Sequence, residues 1–134
     1  MSGFCQTHIA GELQLFISYD SKGKLLEGGK KYRLHLPSCI PASDFWSIIV
    51  YDPLSHLIIQ NDQPWPSVHS SNKNLIYNND GSVDAWFGPK LIKGKEANWV
   101  KTLRGKPWYL ILRLYYPLES WFNKKWQPGE IEEI

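Results

Sequence analysis

The stretch WYLILRLYY, residues 108–116, limits the fold more than any other part of the chain. Its side chains alternate with a period of two. Trp108, Leu110, Leu112 and Leu114 share one face, and Tyr109, Ile111, Arg113 and Tyr115 share the other. Pro117 stops the run and suits the first turn of a helix. The stretch reads as a buried strand with a permanent cation at its centre. A guanidinium cannot shed its charge, so its burial requires a carboxylate partner.

Other short runs read as strands too. LQLFISY (13–19) is one, and KKYRLHLP alternates Tyr32, Leu34 and Leu36 against Arg33 and His35. FWSIIVYDP (45–53) is apolar on both faces, as a central strand is, and a DPLS turn leads from it to HLIIQN. Residues 61–74 read as a long polar loop. LIYNNDGSVDAWFGP reads as strand, turn and strand, its Asp-Gly pair supplying the positive φ of a tight turn. KGKEANWVKTLRGK reads as a loop or short helical segment. In PLESWFNKKW, Leu118, Trp121, Phe122 and Trp126 form one apolar stripe at helical spacing.

A chain of 134 residues is one domain by length and large enough to bury a core without disulfides or metals. Seven tryptophans and nine prolines among short apolar runs point to an all-β sandwich. The net charge is +2 and no Lys/Arg run exceeds two residues, which argues against nucleic acid as the main partner. Cys5 and Cys39 do not make a disulfide framework and read as free thiols. The first 19 residues lack the basic and apolar regions of a signal peptide, and no run approaches the roughly 18 apolar residues of a membrane span. A soluble chain is expected, its compartment left open.

Candidate chemistry is sparse. The histidines at 8, 35, 56 and 69 show no short metal-ligand spacing, and no nucleophile or phosphate-loop motif is present. No metal and no cofactor are expected. Asn78, Asp80, Ser82 and Asp84 resemble alternate positions of a calcium loop, but Val83 stands where that loop needs glycine and Pro89 where it needs glutamate. Asp84 is the other charge inside a strand, so an Asp84–Arg113 pair across the sheet is expected, as a structural pair that fixes register. The functional alternative is an anion or carbonyl clamp at the floor of an aromatic pocket, with Tyr115 nearby. Trp65, between two prolines, is the best candidate for an exposed stacking residue. Trp46, Trp86, Trp108 and Trp121 are expected in the core.

The blocks GKLLEGGKKYRLHLP, IPASDFWSIIVYD, NNDGSVDAWFGP and EANWVKTLRGKPWYLILRLYYPLESWFNKKWQPGEIE together resemble the bacterial domain of unknown function 1214, from about Tyr19 to Glu133. The matching positions include Trp46, Tyr51, Asp80-Gly81, Asp84, Gly88-Pro89, Asn98-Trp99, Gly105, Arg113, Tyr115, Pro117, Trp121 and Trp126. Residues 1–18 depart from the family as a divergent lead before a single domain over 19–134, and Tyr116 stands where a glycine is usual. The resemblance implies a jelly-roll-like antiparallel β-sandwich with a short C-terminal helix, often in a homo-oligomer. In longer relatives, many of them exported, it implies a partner domain of unknown function 1254. It implies no activity. A non-enzymatic ligand-binding or assembly module is expected, its ligand unknown. The alternative is a hydrolase- or lyase-like enzyme using Asp84, Arg113 and Tyr115 on a small polar or aromatic substrate.

Overall fold

The computed structural model describes residues 4–9 (backbone only), 11–63 and 66–134. Its strands in chain order are β1 (Phe4–Ile9), β2 (Glu12–Ile17), β3 (Tyr32–Leu36), β4 (Ala42–Tyr51), β5 (Ser67–His69), β6 (Val83–Gly88), β7 (Trp99–Lys101), β8 (Tyr109–Pro117) and β9 (Ile131–Glu133). They form two sheets, ordered β1-β2-β8-β4-β5 and β7-β6-β3-β9. All pairings are antiparallel except β6 with β7, which is parallel.

Alternation decides which side chains lie between the sheets. Leu13 and Leu15 of β2, Ile48 and Val50 of β4, and Leu110, Leu112 and Leu114 of β8 face inward from one sheet. Tyr32, Leu34 and Leu36 of β3 and Val83, Ala85 and Phe87 of β6 face inward from the other. The result is a sandwich with one apolar layer between two sheets. Trp108 lies in this layer, with ring centroids 5.7 Å from Tyr32 and 5.0 Å from Phe87. The buried Tyr32 hydroxyl accepts a hydrogen bond from the Glu27 backbone N–H at 3.1 Å. Trp86, expected in the core, is only half-buried, because it shares the outward face of β6 with Asp84.

Four strands were not legible as such, among them β1, which lies in the segment read as a divergent lead. β5 lies inside the segment read as a polar loop, β7 inside KGKEANWVKTLRGK, and β9 near the C-terminus. Conversely, residues 75–77 and HLIIQN form no strand; Ile58 makes only an isolated bridge to Tyr51. The Asp-Gly turn forms as read: Gly81 has φ 86°, its N–H donates to Asn78 O at 2.9 Å, and Asp80 Oδ1 accepts from the Ser82 N–H at 2.9 Å. The free edge of β7 is closed by side chains. Gln63 Oε1 accepts from Lys101 N–H at 2.7 Å, and Gln63 Nε2 donates to Trp99 O at 3.1 Å.

The helix after Pro117 is a single turn, α1 (Glu119–Phe122). One turn cannot carry the expected four-residue stripe. Trp121 and Trp126 are buried, but Leu118 and Phe122 are exposed. The chain leaves the helix through Lys124, at φ 64°, and Trp126 reaches the core through this bend, where its indole N–H donates to Pro37 O at 3.0 Å.

Tyr116 has φ 53°, the left-handed region. That conformation suits the glycine that the resemblance places at this position, since glycine adopts it without steric cost. Here the ring lies over Gly11, where an added Cβ would stand 2.9 Å from Tyr116 Cε1. Tyr116→Gly is expected to be close to neutral. Tyr116→Val, β-branched and strained at this φ, is expected to cost about 1–3 kcal/mol. Urea denaturation of the two variants checks the contrast; equal losses would contradict it.

Candidate functional site: an outer-face cleft on the five-stranded sheet

The outward face of the five-stranded sheet is a grid set by register. Across the strands, Gln14, Arg113, Ser47 and His69 pair in one row. On one side of this polar row, Tyr115 pairs with Phe45, their rings 5.3 Å apart. On the other side, Ile111 pairs with Ile49, and Ile49 with Ser67. A bulge in β4 between Ala42 and Phe45 sets this alignment. The Phe45 ring also leans on His69, 6.1 Å away.

Two walls rise from this floor: Ser71, Asn72 and Lys73 after β5, and Glu96 and Ala97 of the short 3-10 turn Glu96–Asn98. Floor and walls enclose a cleft of about 730 Å³. That volume lies within the range of small-molecule sites, which join an apolar lining to a few convergent polar groups.

Arg113 stands in the floor. Its Nη1 donates to Glu12 Oε2 at 3.1 Å and its Nη2 to the Tyr51 hydroxyl at 2.9 Å. These bonds tie β8 to both its neighbours. Its Nε–H is buried and finds no acceptor among the described residues. Burial disfavours the charged form, but Tyr51, Glu12 and Tyr115 outweigh it and hold the guanidinium above its ordinary pKa. Arg113 is therefore a fixed cation at working pH.

The expected Asp84–Arg113 pair does not form. β6 and β8 belong to different sheets, and both side chains point outward, to opposite sides of the sandwich. Asp84 Oδ1 lies 2.7 Å from His35 Nδ1, and Asp84 Oδ2 accepts from Asn78 Nδ2 at 3.1 Å. Each charge has found a partner next to it in its own sheet. Tyr115 stands beside Arg113 in the cleft, while Trp65 lies outside the described residues. Ser47, His69, Phe45 and Glu12 were missed. The first and third were within reach, since the alternation of FWSIIVY puts Phe45, Ser47, Ile49 and Tyr51 on one face. His69 was not, because it sits in a strand of only three residues.

Among the described residues of the cleft no serine hydroxyl is hydrogen-bonded to a histidine. Ser70, next to His69, uses its hydroxyl on the backbone of Trp46, accepting from its N–H at 3.1 Å and donating to its O at 3.3 Å. Among the described residues no three His, Cys, Asp or Glu side chains gather as metal ligands would.

The family described as Protein of unknown function (DUF1214) matches residues 11–119. The chain belongs to that family. Two crystal structures share its fold. The VPA0106 protein of Vibrio parahaemolyticus superposes with a TM-score of 0.79 at 21% identity, over 92% of this chain and 31% of its own. A putative uncharacterized protein of Burkholderia cenocepacia gives 0.60 at 18% identity, over 98% of this chain and 34% of its own. The chain thus spans about a third of each. No curated protein matches it.

The DUF1214 match begins at residue 11 and so includes β2, whose Leu13 and Leu15 are wholly buried. Several positions that carried the resemblance have structural duties in this DUF1214 domain. Buried Asn98 accepts from Ile76 N–H at 2.9 Å and donates to Asp84 O at 2.9 Å, fixing the approach to β6. The Trp99 indole N–H donates to Gly88 O at 3.2 Å. Tyr51, Arg113 and Tyr115 instead share the outer face with the cleft. Cys39 is a free, exposed thiol; the side chain of Cys5 lies outside the described residues.

Proposed function

We propose that this DUF1214 domain is a non-enzymatic ligand-binding module whose site is the cleft on the five-stranded sheet. The observation that carries this reading is the 730 Å³ cleft floored by a polar row between an aromatic and an aliphatic row. The enzymatic alternative loses its motivation, since Asp84 is not brought to Arg113 and Tyr115. The assembly reading keeps one support. Both matched structures are about three times longer, so in such chains a further domain is a competing occupant of this face.

A thermal-shift screen with small organic fragments tests the proposal, run on the wild type and on Ser47→Leu. The leucine adds volume at the centre of the floor, where Ser47 is buried and paired between Arg113 and His69. Fragments that raise the melting temperature of the wild type should lose their effect on the variant. Fragments that stabilise both proteins equally would show that binding lies elsewhere.

A further inference from the structure

We infer that the ligand of this cleft is a small carboxylate with a flat apolar body of about one ring. The inference rests on reading the cleft as a ligand site and specifies that ligand's chemistry.

The floor supplies hydrogen-bond donors in a line. A guanidinium has five N–H donors; Glu12 and Tyr51 each take one of those of Arg113 and its Nε–H is buried, which leaves one N–H on each of Nη1 and Nη2. Ser47 lies in register beside it and His69 beside Ser47. Adjacent strands are about 4.8 Å apart, so Arg113 and His69 stand about 10 Å apart at the backbone, with Ser47 midway. An acceptor group bound over Ser47 is then within reach of donors from both neighbouring strands. Planar, charge-assisted recognition of carboxylate is what arginine does best.

Charge points the same way. Arg113 and Lys73 line the cleft against Glu96 alone. Glu12, which balances Arg113, lies on the β2 side and does not line it. Arg113 also remains cationic throughout the working range, as its surroundings favour the charged form.

The ligand's body follows from the adjacent row. Phe45 and Tyr115 both line the cleft beside the donor row, their rings tilted at 58° to one another. Aromatic groups prefer edge and offset contacts. Ile49, on the other side of Ser47, closes the slot with aliphatic surface. A carboxylate over Ser47 with its ring toward Phe45 and Tyr115 uses the donor row and the aromatic row together.

Isothermal titration with benzoate, phenylacetate, benzamide and acetate tests the assignment. Benzoate or phenylacetate should bind, with benzamide and acetate at least about tenfold weaker. His69→Ala and Lys73→Ala, both substitutions in the cleft lining, should each weaken the aromatic acid about tenfold while circular dichroism and melting temperature stay unchanged. Equal binding of benzamide would overturn the carboxylate, and equal binding of acetate would overturn the flat body; in either case Ser47→Leu should still block binding, leaving the cleft reading intact. Failure of all four probes while other fragments bind in a Ser47-dependent way would overturn the ligand class alone. Binding unaffected by Ser47→Leu would overturn both.

Discussion

Trp108→Ala should lower unfolding stability by about 3–5 kcal/mol, the range for truncating a buried large aromatic. Trp108 is 2% exposed and wedged against Tyr32 and Phe87, both wholly within the core. Its removal opens a cavity against β3 and β6, neighbours in one hydrogen-bonded sheet whose backbones cannot close in to fill it. The indole N–H has no acceptor among the described residues. Trp108→Phe therefore gives up volume but no hydrogen bond, and should cost much less than the alanine. Urea denaturation of the pair checks this. A loss below about 1 kcal/mol for Trp108→Ala would mean that the apolar layer is not closed around residue 108.

Gly28→Ala should be comparably severe, although it adds one carbon. A Cβ at Gly28 would stand 1.8 Å from Leu103 O and 2.7 Å from Lys106 O. Both are backbone atoms, so no rotamer change relieves the clash. The conformation is not left-handed there; the constraint is space alone. The approach is also bonded: Gly28 N–H donates to Lys106 O at 2.9 Å, and the buried Thr102 hydroxyl donates to Gly28 O at 2.8 Å. Forcing these loops apart is expected to cost about 3 kcal/mol or more, the upper end of overpacking effects. Gly29→Ala, whose Cβ would come no nearer than 3.8 Å to any atom, is the matched control and should be nearly silent. Melting temperatures of the two variants decide it; similar values would refute the close approach.

The two-sheet architecture was readable because its long strands obey simple alternation. β8, β4, β3 and β2 each place an apolar face inward, and that face alone requires a second layer. β5, β7 and β9 have three residues each, too few for a period to show. They are strands because a longer neighbour offers them hydrogen bonds, which is a tertiary fact. The candidate site divides along the same line. Arg113 and Tyr115 were found because they interrupt the pattern of a long strand. The partner of Arg113 was not, since pairing odd charges by strand ignores which sheet each strand joins. Glu12 stands at the first position of β2, in a segment read as a divergent lead, and reaches Arg113 only once β2 and β8 are neighbours. The tryptophan and aromatic stripe after Pro117 overreached for a different reason: helical spacing in sequence does not guarantee more than one turn of helix.

The central claim is that the outward face of the five-stranded sheet is a binding cleft for a small carboxylate with a flat body. Titrating benzoate into the ¹⁵N-labelled protein and following backbone amide resonances tests it most directly. Saturable shifts should concentrate at residues 45–49, 67–73 and 111–115, with the Arg113 side-chain N–H signals among the largest. Shifts that instead gather around His35 and Asp84 on the opposite face, or a spectrum unchanged at millimolar benzoate, would contradict it.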